Sequence, residues 1–290
     1  MISNAAIWMT VQRIFDNLVM DIQFFCPRWG SEHLSWDSFC KKVKAAGFNG
    51  IEAGVPFDNN TVTEMSAALE KYGLSLVGQY WQSFEKDFDA HASSYEKHLL
   101  QNVLLNPVKI DAQTGKDYFS FEQNQQLFEI AAQITANTGV PIAHETHRNK
   151  ALFAAHVTRQ FLEKIPSLTI TADLSHWCNV AESFLEDQQE VLALLPKHTI
   201  HIHARVGHPQ SAQVIDPRLP QYAEALSYHV QWWKSIIELH REKGTSVFTI
   251  TPEFGPAPYM LHSPETGLPL ADQWEINCWM MNYLKELFSH

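Results

Sequence analysis

The feature that most constrains the fold is an alternation of strand-like and helix-like segments that repeats eight times along the chain. Each strand-like segment is a short apolar run, and the helix-like segments carry apolar residues three or four positions apart. The strand-like segments cover about 21–26, 50–54, 74–80, 107–111, 141–145, 168–173, 199–203 and 248–253. Such an alternation is typical of a parallel sheet with helices outside it. We therefore predict an α/β fold, a single (β/α)8 TIM barrel.

The same alternation defines the expected domain organisation. The predicted helices cover about 35–46, 61–73, 91–105, 121–137, 152–164, 181–195, 222–243 and 272–288. With the strands they occupy 20–290, so one barrel uses this whole stretch and no second domain is expected. Residues 1–19 are then an N-terminal extension. It is mildly apolar, but Arg13 and Asp16 interrupt it and no small-residue cleavage site follows, so a signal peptide is not predicted.

Composition and charge exclude several classes of function. The chain has 290 residues, 45% of them hydrophobic, and a formal net charge of −11. That charge argues against a surface that binds the phosphate backbone of a nucleic acid. No apolar run is long enough to span a membrane. The cysteines match no zinc or redox spacing and are expected to be reduced thiols: Cys26, Cys40, Cys178 and Cys278. We expect a cytoplasmic protein with neither a nucleic-acid nor a membrane partner.

The fifth to eighth strand-like segments each end in a side chain that can bind a metal. These side chains are Glu145, Asp173, His203 and Glu253. Because all strands of a parallel barrel end at one mouth, four groups far apart in sequence are predicted to converge there. Three carboxylates and one imidazole suit one divalent ion, Mn²⁺, Mg²⁺ or Co²⁺, with Zn²⁺ also compatible. His201, two residues before His203, faces the same way and is expected to lie one layer deeper.

Each of these residues also has a plainer explanation when it is taken alone. Glu145 can form a salt bridge with Arg148. Asp173 can cap a helix, and Glu253 can be an ordinary loop carboxylate. Four ionisable groups at one mouth would repel one another or stay unpaired without a cation. Their common position at the strand ends therefore favours a metal centre.

From 20 to about 288, the sequence resembles the xylose isomerase-like TIM-barrel superfamily. The resemblance rests on the order Glu…Asp-x-x-His…His…Glu, here Glu145, Asp173 with His176, His203 and Glu253. That superfamily includes sugar isomerases, ketose 3-epimerases, inosose dehydratases and endonuclease IV enzymes. The segments His144–Arg148 and His203–Gly207 look like a branch described as sugar phosphate isomerase/epimerase.

The resemblance implies roles for individual residues. Glu145, Asp173, His203 and Glu253 would be the metal ligands, and the two glutamates would also be acid and base on opposite faces of the substrate. His176 would hold a substrate oxygen. The expected enzyme is a metal-dependent carbohydrate isomerase/epimerase, acting on a small sugar or sugar phosphate through a metal-stabilised cis-enediolate.

Further substrate-binding candidates lie near the strand ends. Arg205 and Arg148 can bind a phosphate or sugar oxygens, and Arg205 is favoured because it lies two residues past His203. Lys116 follows the fourth strand and can bind substrate hydroxyls, as can Asp111. Three tryptophans that follow strands can form an apolar wall for a sugar or pack in the core: Trp29, Trp81 and Trp177.

Three alternatives remain open at the level of sequence. An inosose dehydratase-like lyase would share the enolisation step and then expel a hydroxyl. A zinc-dependent abasic-site endonuclease is disfavoured, because its extra Asp-x-His reads Asp216-Pro217-Arg218 here and the third strand ends without histidine. A non-catalytic sugar- or metal-binding barrel is disfavoured by the intact glutamates. Substrate, native metal and oligomeric state are left open, and a homo-oligomer is compatible with the sequence.

Overall fold

The computed structural model describes residues 20–289, and within them eight parallel strands close into a barrel. The strands are β1 Asp21–Pro27, β2 Gly50–Ala53, β3 Ser75–Tyr80, β4 Lys109–Ala112, β5 Ile142–Glu145, β6 Ile170–Ala172, β7 Thr199–His203 and β8 Val247–Thr251. They lie in sequence order, and β8 pairs with β1. The predicted (β/α)8 barrel is therefore confirmed. The predicted extension, 1–19, lies outside the described residues.

Nine α-helices connect these strands in the described part of the chain. They are α1 Trp36–Ala46, α2 Asn59–Tyr72, α3 Phe88–Val103, α4 Phe121–Thr138, α5 Ala155–Lys164, α6 Leu174–Ala181, α7 Gln189–His198, α8 Ala223–Glu242 and α9 Gln273–Leu287. A 3₁₀ turn, Pro220–Tyr222, precedes α8. The glycines at which helices were predicted to end do end them, since Gly47, Gly73 and Gly139 all have positive φ.

Two details of the predicted helices are wrong. The helix expected over 181–195 is two helices, because α6 begins directly after Asp173 and α7 begins only at Gln189. The helix expected to open at a capping box from Thr61 to Glu64 begins earlier. Asp58 caps it instead, accepting a hydrogen bond from the Thr61 backbone N–H at 2.8 Å. Asp58 lies four residues before Val62, the first apolar position of the helix, and its carboxylate is an equally good cap that starts the helix about one turn sooner.

The apolar core lies between the barrel and its helices, whereas the barrel interior is polar. Trp177 belongs to the core: it is fully buried, and its Nε1 donates to the Leu152 carbonyl at 2.9 Å. Contacts between strands that are not neighbours must cross the interior. Glu52 on β2 reaches His203 on β7 in this way. The polar interior lies beneath the mouth where the strands end, so it can support charged groups there.

Candidate metal centre and active site

The four predicted metal ligands converge at the mouth of the barrel. One nitrogen or oxygen atom from each of Glu145, Asp173, His203 and Glu253 lies within 4.8 Å of the others, and all four residues are buried. Donor atoms about 2.1 Å from a shared ion are separated by about 3–4 Å from one another. The spacing therefore suits one divalent ion with these four ligands.

The backbone places two of these carboxylates just beyond their strands. Asp173 follows the short strand β6 and caps α6, accepting a hydrogen bond from the Ser175 backbone N–H at 3.0 Å. The helix-cap explanation and the metal-ligand explanation are thus compatible. Glu253 follows β8 with a φ of 57°, in the left-handed region. A non-glycine residue adopts this conformation at a cost, and such strain is found mainly at functional sites.

Several buried polar atoms of the four predicted ligands lack a hydrogen-bond partner, and a bound cation would satisfy them. Both carboxylate oxygens of Glu145, the Nδ1 of His203 and the Oε2 of Glu253 are buried without a hydrogen-bond partner among the described residues. Burial, followed by the charges of Glu253 and Asp173, raises the pKa of Glu145 to about 7. Burial alone would lower the pKa of His203, but surrounding carboxylates raise it well above its ordinary value. Bringing these groups together therefore favours binding of positive charge.

Glu52, which was not predicted as a site residue, supports the histidine ligand from below. Its Oε1 lies 2.9 Å from His203 Nε2, so His203 donates from Nε2, and Nδ1 faces the other predicted ligands, where a bound ion would replace its proton. His203 Nδ1 lies 2.7 Å from Glu253 Oε2 and 3.5 Å from Glu145 Oε1. His201 lies deeper, as expected, with its Nδ1 2.7 Å from Thr249 Oγ1.

Replacing Glu52 by glutamine should weaken metal binding about 10–100-fold, because losing the carboxylate lowers the basicity of His203 and frees its orientation. Competition against a chromogenic chelator measures this affinity. Thr249→Val is the matched control, since it removes a buried partner from His201 rather than from His203. Equal losses in both variants would show that Glu52 acts only through packing.

Arg205 lies directly against the predicted ligands. Its guanidinium donates to Asp173 Oδ2, lies 3.7 Å from Glu253 Oε2 and donates through Nε to Ser175 Oγ at 3.1 Å. The close approach of the loop after β7 requires Gly207, where a Cβ would lie 2.6 Å from the Ser175 backbone. The arginine is 2% exposed, so its charge acts within the site and not at the surface.

His176 has the hydrogen-bonding pattern of a neutral donor to a substrate. Its Nε2 lies 2.6 Å from Arg205 Nη2, which must donate, so the proton of neutral His176 is on Nδ1. Burial, then the neighbouring His147 and Arg205, hold the pKa of His176 well below its ordinary value. Its Nδ1 is buried without a partner among the described residues. His147, also missed in the sequence, packs with its ring centroid 3.8 Å from that of His176.

A cavity of about 750 Å³ opens beside Glu253, one of the four predicted ligands. Glu253, Arg205 and His147 line it, and most of its other lining residues follow β1 to β4. Trp81, predicted as a substrate wall, lines this cavity and is 48% exposed, and Trp29 lines it too. The volume suits a small molecule of the size of a sugar or sugar phosphate.

The remaining predicted substrate residues lie at different places around the mouth. Arg148 donates to Asn179 Oδ1 at 3.2 Å and lies 5.0 Å from the centre of the Tyr259 ring. Among the described residues, it forms no ion pair with Glu145. Arg205 lies against the same ring at 4.8 Å, so Tyr259 is a further site residue that the sequence did not indicate. Lys116 belongs to the loop after β4, is buried, and is not among the residues that line the cavity.

Two further findings bear on the kinds of partner considered from the sequence. In the part of the chain that the structure describes, no helix combines the length and apolarity that crossing a membrane requires. Asp216, the first residue of the incomplete endonuclease-type motif, forms an ion pair with Arg218 at 2.7 Å. That carboxylate is therefore already neutralised by its neighbour.

Comparison with known proteins gives the fold a family context. No protein-family model and no curated protein sequence matches the chain. Among solved structures, a xylose isomerase-like TIM barrel protein from Mycobacterium smegmatis, in complex with magnesium, is 11% identical with a TM-score of 0.63, over 92% of this chain and 96% of that one. The chain has the fold of the xylose isomerase-like TIM barrels.

Other proteins that share this xylose isomerase-like fold carry different descriptions. The probable 3-DHS dehydratase AsbF from Bacillus anthracis is 18% identical, with a TM-score of 0.57. Endonuclease IV from Thermus thermophilus is 15% identical, with a TM-score of 0.56. Both alignments cover 92% of this chain and 99% of the other. Because one fold carries several reactions, the chemistry has to be inferred from the site.

Proposed function

We propose that the protein is a divalent-metal-dependent isomerase or epimerase of a sugar or sugar phosphate. The observation that carries the proposal is the placement of two buried glutamates, Glu145 and Glu253, beside one ligand nitrogen, His203 Nδ1. A divalent ion held by these residues with Asp173 would supply Lewis-acid chemistry to a substrate oxygen. Mn²⁺, Mg²⁺ and Co²⁺ suit a set of three carboxylates and one imidazole.

The chain's own residues then divide the work of proton transfer. One glutamate takes a proton from the carbon next to the substrate carbonyl, and the other returns a proton to the opposite face or to the neighbouring carbon. His176 donates from Nδ1 to a substrate oxygen, because its Nε2 is already satisfied by Arg205. Trp81 and Trp29 line the cavity and would offer apolar ring surface to the substrate.

Two histidines outside the four-ligand group, His147 and His176, lie among positive charges, which weighs against a cluster of three metal ions. His147 and His176 lie within reach of Glu145 and can in principle form a second site with it. Arg205 and Arg148, however, lie beside these histidines and lower the pKa of both, after burial. That cationic environment opposes a second cation and favours substrate oxygens, so we propose one ion per chain.

The decisive experiment is incubation of the Mn²⁺-loaded protein with ketoses, sugar phosphates and inososes in D₂O. Deuterium at the carbon next to the carbonyl, detected by mass spectrometry and NMR, would identify the substrate even without net turnover. Exchange followed by loss of water would favour a dehydratase. No exchange with any of these compounds, together with three zinc ions per chain and cleavage of abasic DNA, would refute the proposal.

His176→Gln should raise KM for the exchanging substrate about tenfold or more and leave the metal content unchanged. Glutamine keeps an N–H donor, but its flexible amide is not held at the position of Nδ1, so a hydrogen bond to the substrate weakens. Steady-state kinetics combined with metal analysis measures both effects. An unchanged KM, or loss of the metal, would contradict this role.

A further inference from the structure

A group of two lysines and one histidine lies at the mouth of the barrel, in the segments that follow β3, β4 and β5. Lys116 follows β4, Lys150 follows β5, and His91 lies in the first turn of α3, which follows β3. Lys150 crosses towards the β3 side, where its ammonium donates to the Ser83 hydroxyl. All three side chains are at most 7% exposed.

Acidic side chains lie near these lysines without pairing directly with them. Asp117 and Glu85 raise the pKa of Lys116, and Glu145 and Asp117 raise that of Lys150. Neither Lys116 nor Lys150 belongs to any ion pair among the described residues.

Burial, followed by the charge of Lys116, lowers the pKa of Lys150 to about 8, so its amine still carries most of its charge at neutral pH. Burial also lowers the pKa of Lys116. The buried ammonium of Lys150 bonds only to the neutral Ser83 hydroxyl, and a buried charge without a charged partner is unfavourable. A ligand with negative charge would supply that partner.

A ligand can reach the cluster and find unused polar atoms in it. The Lys116 ammonium has no hydrogen bond to described residues and is not among the fully enclosed atoms. The Nε2 of His91 is fully buried and has no partner among the described residues. Lys150 belongs to the loop that leaves β5 at Glu145, so the cluster shares a mouth with the metal centre.

We propose that Lys116 and Lys150, with His91 beside them, bind the phosphate of a phosphorylated substrate whose other end lies at the metal centre. This inference rests on the proposed function and narrows it to sugar phosphates. A phosphate monoester carries between one and a half and two negative charges at neutral pH, which matches two ammonium groups better than a carboxylate does. The bound dianion would also favour the imidazolium form of His91, whose Nε2–H would be a third donor.

Two nearby carboxylates, Asp117 and Glu85, provide the opposing explanation. Asp117 raises the pKa of Lys116 more than Glu85 does, and it also raises that of Lys150. Glu85 affects the pKa of both Lys116 and His91, and its Oε2 is buried without a hydrogen-bond partner among the described residues. If Glu85 were simply the structural counter-ion of Lys116, removing its charge would destabilise the fold and would not help an anion to bind. If the cluster is a phosphate site, Glu85→Gln should tighten phosphate binding.

The test is calorimetric titration of inorganic phosphate into the full chain, with Mg²⁺ and again after chelation. Lys116→Met and Lys150→Met should each weaken phosphate binding about tenfold or more under both conditions. Lys86→Met is the matched control, because it removes an exposed lysine from the same loop region and should change little. Lys116→Arg keeps the charge and should retain most of the affinity, and circular dichroism verifies that every variant is folded.

Three results would overturn the phosphate site. They are no phosphate binding by the parent protein, unchanged affinity in both folded methionine variants, and acetate binding as tight as phosphate binding. The titration needs neither sugar nor turnover, so its outcome is separate from that of the D₂O experiment. Exchange without phosphate binding would keep the proposed isomerase and remove this site, whereas phosphate binding without exchange would keep the site and remove the isomerase.

Discussion

Glu145→Gln and Glu253→Gln should each lower turnover about 10²–10⁴-fold, the usual contribution of a positioned acid or base. Glutamine keeps the shape and one oxygen ligand but cannot accept a proton at physiological pH. Both carboxylates lie beside His203 Nδ1, at 3.5 and 2.7 Å, so each is placed to act on a substrate at the same ion. Steady-state rates and deuterium incorporation from D₂O measure the loss.

The two glutamine variants also separate proton transfer from metal binding. We expect each to retain part of its metal and at least one to lose exchange of the α-proton altogether. The control is Glu265→Gln, which changes an exposed glutamate on the loop after β8 and should leave both rates unchanged. Parent-like exchange and turnover in both variants, with metal bound, would mean that the glutamates are ligands only.

Asp173→Ala should have the largest effect on metal content and should also destabilise the metal-free protein, by about 3 kcal/mol. The variant loses one of four ligands and leaves Arg205 buried without its closest carboxylate, since Glu253 lies 3.7 Å away. Urea unfolding in the presence of a chelator measures the second effect, and metal analysis the first.

A double variant distinguishes the two roles of this aspartate. Combining Asp173→Ala with Arg205→Met removes both charges, so we expect stability to recover while metal binding stays weak. Asp216→Ala should change metal content little, because its carboxylate pairs with the half-exposed Arg218 outside the four-ligand group. A larger metal loss in Asp216→Ala than in Asp173→Ala would contradict the assignment of the centre.

The sequence predicts the barrel well because its evidence is local. The spacing of apolar residues distinguishes strands from helices, and glycines such as Gly47 and Gly139 mark where helices end. The convergence of Asp173 and Glu253 follows from the same pattern, since a barrel brings the ends of all its strands to one mouth. In the sequence Asp173 has the position of a strand end, and the helix that it also caps, α6, is therefore not predicted.

Residues whose role depends on contacts across the barrel could not be predicted in this way. Glu52 lies 151 positions from His203, and a carboxylate within a strand looks the same whether it faces the interior or a helix. An ionisable residue within the four-residue strand Gly50–Ala53 was nevertheless an available signal, because such a residue needs a partner when buried. Tyr259 gave no comparable signal, since it lies in an irregular loop and its neighbours come from other loops.

The separation of ion-binding strands from cavity-lining loops has a consequence for how such a protein changes over time. All four proposed ligands come from β5 to β8, whereas most of the cavity wall follows β1 to β4. If the proposed function holds, mutations in these early loops would change which molecule binds while leaving the four proposed ligands in place. Replacing the loops after β1, β2 or β3 by those of another barrel should therefore change substrate selectivity and leave the four proposed ligands unchanged.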